Sequence, residues 1–307
     1  DLGKLEEGEF HTRKAIELNP NFANAHCNLG SILIDLGKLK EGEFHTRKAI
    51  ELNPNFANAY SNLGNILREL GKLEEAESYT LKAIKLNPDY AIARSNLGTI
   101  LRDLGKLEKA ELHTRKAIEL NPDYAIAHYN LGNVLGDLNK LEEAEVSYRK
   151  AIKLNPNYAN AHANLGNILS QFGKLEEGEL HTRKAIELNP SNANDHSNLG
   201  TILRNLGKLE EAEVSYLKAI KLNPNLVIPY YSLSTLKISF QNKKWQEKLF
   251  SKNFLNNKSK KDKVNIYFAK ANILHNESNF KESSKYLELA NNLKQNLNPN
   301  NVKYLLN

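Results

Sequence analysis

Between Ala57 and Tyr90 the apolar residues fall into two runs of helical spacing, separated by a short polar break that contains glycine. In the first run Ala59, Leu63, Ile66, Leu67 and Leu70 stand at i, i+4, i+7, i+8 and i+11, the single stripe that an amphipathic helix buries. Leu73, Ala76, Ala83, Ile84 and Leu86 give the second run a similar stripe. Two helices packed stripe to stripe are expected. Gly71 lies at the break, where a left-handed helix cap disfavours a β-carbon. Gly37, Gly105, Gly173 and Gly207 hold the same place, and Asn139, the other residue that tolerates this conformation, replaces glycine once. Asn87-Pro88 ends the second helix, because proline has no amide donor and pushes its predecessor out of the helical region.

The pattern repeats. Pro20, Pro54, Pro88, Pro122, Pro156, Pro190 and Pro224 are spaced 34 residues apart without a slip. A period of this length predicts one supersecondary unit stacked on copies of itself, since no single unit can bury its own apolar face. Gly64 sits inside a helix at a cost of about 1 kcal/mol against alanine, and Gly30, Gly98, Gly132, Gly166 and Gly200 repeat the choice. Close helix contact is the expected compensation, with Gly64 facing Ala76.

Leu63, Gly64, Gly71, Ala76, Ala83 and Pro88 together resemble the tetratricopeptide repeat. The resemblance implies an all-α solenoid, a right-handed superhelix of antiparallel helix pairs whose concave groove is lined by the first helices. It covers six full repeats, 23–56, 57–90, 91–124, 125–158, 159–192 and 193–226, after the second half of a truncated repeat at 1–22. In that half-repeat Leu2, Leu5, Phe10 and Ile16 are expected to lack cover. The family implies a protein- or peptide-binding scaffold without catalytic activity of its own, and leaves the pathway open.

One polar column stands out, Asn28, Asn62, Asn96, Asn130, Asn164 and Asn198, which precede the Leu-Gly of every full repeat. Asparagine is an ordinary-to-poor helix former, so propensity does not explain the choice. With neighbours such as Asn65, Asn133 and Asn167 the column forms a stripe beside the core. A carboxamide offers donor and acceptor together and matches a peptide amide without regard to sequence. Helices about 10 Å apart would meet every third residue or so of a chain rising ~3.3 Å per residue. Two readings stand, peptide recognition or bonding between repeats that fixes the pitch of the stack. The column resembles the asparagine ladder of the O-linked N-acetylglucosamine transferases. It differs from the lysine clamp of chaperone-binding tetratricopeptide domains, since Ser61, Ser95, Ser197, Thr99 and Thr201 hold the corresponding places. Arg68, Arg102 and Arg204 recur one turn further on, either as groove charge or as solvated surface.

Composition narrows the picture. The 307 residues are 40% apolar and 25% charged, as in ordered soluble proteins, and no apolar run reaches the ~18 residues a membrane helix needs. No membrane partner is expected. Cys27, the single cysteine, excludes an internal disulfide and favours a reducing, cytoplasmic location. Histidines occupy two columns, one with His11, His45, His113 and His181, the other with His26, His128, His162 and His196. Equivalent residues of successive repeats lie too far apart to share one tetrahedral ion, so neither metal nor other cofactor is expected.

After Pro224 the repeat dissolves. Nine lysines fall between Lys237 and Lys263 against Glu247 and Asp262, whereas residues 1–226 are near neutral. Phe240, Trp245, Leu249, Phe250 and Phe254 lie among them, so 227–263 is read as a degenerate repeat with a capping helix rather than a nucleic-acid site, and nucleic acid is not an expected partner. Residues 264–297 return as a divergent terminal helix pair, followed by a tail at 298–307. The terminal segment resembles the piece that joins tetratricopeptide repeats to a sulfotransferase in certain bacterial proteins. That resemblance implies a non-catalytic N-terminal region of a larger bacterial protein. Alternatively, the chain recruits substrate for a sulfotransferase or O-linked glycosyltransferase domain lying beyond Asn307.

Overall fold

The computed structural model describes residues 2–236 and 244–297, so Phe240, the side chain of Leu2 and the tail at 298–307 lie outside the described residues. Among those described there are seventeen α-helices, one short 3-10 helix and no strand. Two compact units divide the chain, 1–156 and 157–307.

In the first unit α1 (Leu2–Leu18) is followed by four helix pairs. These are α2 (Ala23–Asp35) with α3 (Leu39–Leu52), α4 (Ala57–Glu69) with α5 (Leu73–Leu86), α6 (Ala91–Asp103) with α7 (Leu107–Leu120), and α8 (Ala125–Asp137) with α9 (Leu141–Leu154). Each pair is joined by the same turn. Gly71 has φ +75° and donates to the Arg68 carbonyl, while the Lys72 amide closes on the Leu67 carbonyl at 2.8 Å. Asn139 adopts φ +58° in the same turn, which accounts for the one replacement of glycine. Between pairs, the Asn87 carboxamide oxygen accepts the Asp89 amide at 3.2 Å, so the asparagine before each proline builds the turn that the proline opens.

The core runs along the facing stripes. Leu63, Leu67 and Ala76 pack with Ile100 of the next repeat, all fully buried, so each pair completes its core with its successor. Gly64 is required by contact. A β-carbon there would lie 2.0 Å from the Thr80 hydroxyl and 3.2 Å from the Ala76 carbonyl. Helix approach is thus as close as expected, but the nearest neighbour is Thr80 rather than Ala76. Phe10 is 61% exposed, yet Phe44 between complete repeats is 64% exposed, so the exposure of Phe10 belongs to its column and not to missing cover. Leu18, 82% exposed where Leu52 is half-buried, lacks cover, and so do Thr12 and Ala15, half-buried where Thr46 and Ala49 are fully buried.

The second unit holds α10 (Ala159–Gln171) with α11 (Leu175–Leu188), α12 (Ala193–Asn205) with α13 (Leu209–Leu222), and the short α14 (Val227–Thr235). Then come α15 (Lys244–Phe250), a 3-10 helix (Lys252–Leu255), and the pair α16 (Lys260–Asn276) with α17 (Phe280–Leu297). Trp245 and Phe254 pack on the Tyr230 ring, with centroids 6.2 and 4.9 Å away, in one cluster with Leu233, Leu249 and Ile266. The α15 segment thus covers α14 with its aromatic face and turns its lysines outward. Lys270 stands where the repeats place their core leucine. It is buried between the Phe250 and Tyr286 rings, 5.4 and 5.3 Å from their centroids, and desolvation lowers its pKa.

Candidate binding surface

Successive first helices of the first unit, α2, α4, α6 and α8, lie side by side, and the asparagine column runs across them. Asn96 Nδ2 donates to Ser61 Oγ at 3.1 Å, Asn130 Nδ2 to Ser95 Oγ at 3.0 Å, and Asn62 Nδ2 to Cys27 Sγ at 3.4 Å. Each acceptor immediately precedes the asparagine of the preceding repeat. In the second unit the column position of the terminal pair is Ala269, and the contact to α14 passes instead through Asn272, at the Asn65 position, whose Nδ2 reaches Ser234 Oγ at 3.2 Å. The carboxamides of Asn62, Asn96, Asn130, Asn164 and Asn198 are half-buried, and that of Asn28 is exposed. In Asn62, Asn96 and Asn130 one N–H is used between repeats. Chemically, each retains an acceptor oxygen and a second N–H.

The neighbouring polar column behaves differently. Asn65 and Asn167 are half-buried, while Asn133 accepts the Tyr148 hydroxyl at 2.8 Å. Arg68 binds Asp103 of the next first helix at 3.0 Å as well as Glu69, and Arg102 binds Asp137 at 2.5 Å. Their charge is matched by carboxylates of the same surface, so these two arginines do not make it positive. Arg204 has no ion pair among the described residues. Two side chains missed from the sequence complete the surface. Ile92 and Ile126, 43% and 45% exposed, replace the asparagine that stands at 24, 58, 160 and 194. Departure from the column was the signal that would have found them.

Where first and second helices face each other, aromatic rings alternate between two adjacent positions. His45, Tyr79 and His113 are each followed by threonine, whereas Ser147 and Ser215 are followed by Tyr148 and Tyr216. The His26 and His45 rings stack at 5.2 Å with their Nδ1 atoms 2.9 Å apart, and Tyr60 stacks on Tyr79 at 6.2 Å. In the Ser-Tyr repeats the ring passes to the glycine side instead. Tyr148 lies against Gly132, and its hydroxyl reaches Asn133 on the first helix. His26 and His128 each direct Nε2 to the carbonyl of the proline six residues back, at 3.0 and 2.9 Å. Cys27 is buried and its thiol is pushed up to about 11 by desolvation, which makes it inert. Among the described residues no group of three or more His, Cys, Asp or Glu converges as metal ligands, and no helix is long and apolar enough to cross a membrane.

Tetratricopeptide-repeat models match residues 23–56, 125–158 and 193–226, the stretch 55–123, the stretch 147–179 and the terminal pair 264–297. The chain belongs to the tetratricopeptide-repeat family. The terminal helix pair is therefore a tetratricopeptide repeat in its own right, despite Lys270 in place of leucine. Solved tetratricopeptide-type structures share the fold. The Cut9–Hcn1 hetero-tetramer of the APC/C superposes with a TM-score of 0.71 at 16% identity over 76% of this chain and 46% of its own. This chain thus spans under half of that protein. Pseudomonas aeruginosa pilF gives 0.61 at 20% identity, over 67% of this chain and 94% of its own. YrrB, described as a TPR protein with an unusual peptide-binding site, is 26% identical over 61% of this chain and 97% of its own, with a TM-score of 0.49. No curated protein matches the sequence.

Proposed function

We propose that this chain is a peptide- or protein-binding scaffold whose first-helix surface holds an extended segment. The carrying observation is the row of half-buried carboxamides at Asn62, Asn96 and Asn130, one per repeat, with the exposed Ile92 and Ile126 on the same helices. The row offers a repeating donor–acceptor pair to main-chain amides, and the isoleucines offer an apolar contact to a side chain. Because Arg68 and Arg102 are paired with carboxylates, the surface favours a ligand of low net charge. A second reading, a recruiting role for a catalytic domain on the same polypeptide, rests only on the sequence resemblance of 264–297 to the segment that precedes bacterial sulfotransferase domains.

The test is selection of a displayed random dodecapeptide library on the whole chain. Enriched peptides should lose binding to Asn65→Trp, which fills the first-helix surface, and keep binding to Lys82→Trp on the exposed face of α5. Enrichment that survives Asn65→Trp would move the ligand off this surface. Asn96→Ala with Asn130→Ala should weaken the same peptides with helicity kept; unchanged affinity would assign the column to inter-repeat bonding alone.

A further inference from the structure

Ser147 takes the place that a ring fills in each of the three preceding repeats. His45, Tyr79 and His113 stand there, whereas the ring of Tyr148 has moved to the glycine side of α9. A cavity of about 530 Å³ lies at this point, bounded by His128 and Leu131 on α8, Ile118 on α7, and Val146, Ser147 and Lys150 on α9. Its walls are mostly apolar. The imidazole of His128 forms one side, and its orientation is fixed because Nε2–H donates to the Pro122 carbonyl, which can only accept. That bond leaves Nδ1 as an acceptor. In the equivalent His26, Nδ1 is the atom that meets the His45 ring.

The charges around the cavity do not cancel. Arg115 is held by Glu111 and Glu143, at 2.8 and 2.6 Å, and Glu119 is held by Lys116 at 2.7 Å. Lys150 has no carboxylate partner among the described residues. The sequence gives the reason, since Lys48, Lys116 and Lys184 each pair with a glutamate three residues on, and after Lys150 that place is taken by Lys153.

We infer that this cavity binds a small planar aromatic anion, with the ring stacked on His128 in the place of the missing His or Tyr and the anionic group on Lys150. The chain itself shows that a ring fits against this imidazole position, and the unpaired ammonium sets the sign of the substituent. This site uses no residue of the asparagine column, so it stands or falls apart from peptide binding.

The probe is 4-hydroxybenzoate, titrated into the whole chain while the His128 ring protons are followed by NMR. Saturable upfield shifts of His128 are expected. trans-4-Hydroxycyclohexanecarboxylate, which keeps the charge but is not planar, should bind at least about tenfold more weakly. Ser147→His restores the His–His pair already present at His26 and His45, so it should fold, shown by an unchanged helical spectrum, and should abolish binding. Lys150→Gln should weaken 4-hydroxybenzoate about three- to fivefold while leaving the neutral 4-hydroxybenzamide unaffected. Binding retained by Ser147→His, equal binding of the cyclohexane analogue, or no response at His128 would each overturn the assignment. Binding of a peptide ending in an aromatic residue without binding of the free acid would overturn the small-molecule reading.

Discussion

His26 and His45 show how one hydrogen bond fixes the protonation of its neighbour. Nε2 of His26 must carry a proton for the Pro20 carbonyl, so Nδ1 accepts from His45. Burial, then the charges of His26 and Arg13, lower the pKa of His45 against a smaller opposing effect of Glu41. A depressed basic group binds fewer protons folded than unfolded, so its contribution is full above about pH 6.5 and falls as acid titrates the unfolded histidine. Denaturant midpoints should therefore drop between about pH 7 and 5. His26→Tyr with His45→Tyr, which copies Tyr60 and Tyr79, should flatten part of that slope; an unchanged slope would remove the pair from the acid response. At this scale the sequence is only partly legible. The asparagine column is visible in the sequence, but its bonds are not, because the acceptor of Asn96 lies 35 residues earlier and every column shares one period. The exchange of rings between 147 and 148 is likewise plain in letters. Its meaning requires knowing that adjacent helical residues face different neighbours.

Turns and crossings were the readable part of the elements. Gly71 and Asn139 predicted the left-handed cap, and both have positive φ. The terminal repeat keeps that turn with Ser278 at φ +60°, where the Asn279 amide still reaches the Leu274 carbonyl at 2.8 Å. A serine there bears strain that glycine would not. Ser278→Gly should accordingly stabilise the second unit by about 0.5–1 kcal/mol after the loss to chain entropy, measured by thermal unfolding, whereas the same change at an exposed helical position should destabilise. What the repeat pattern concealed was α14 to α16. The period fails after Pro224, yet α16 packs on α14 as a first helix packs on its predecessor, with Trp245 and Phe254 covering the Tyr230 ring. Aromatic bulk replaced the small-residue fit, and no positional template anticipates that.

On the scale of the whole molecule, the bonds between repeats join fixed positions of adjacent repeats. In the first unit Ser61 meets Asn96, Arg68 meets Asp103, and Glu77 meets Lys106 at 2.6 Å. Removing residues 91–124 would bring the same three donors and acceptors opposite Asn130, Asp137 and Lys140, and would join one Asp-Tyr turn to the sequence that follows another. Such a deletion should fold with undiminished helicity per residue and a single unfolding transition, whereas removing one residue from α6 should not. Loss of cooperativity in the shortened chain would show that the repeats had become specific to their neighbours. The gene can therefore lengthen or shorten the protein in whole repeats, and the extent of the binding row, more than its chemistry, is what such recombination would tune.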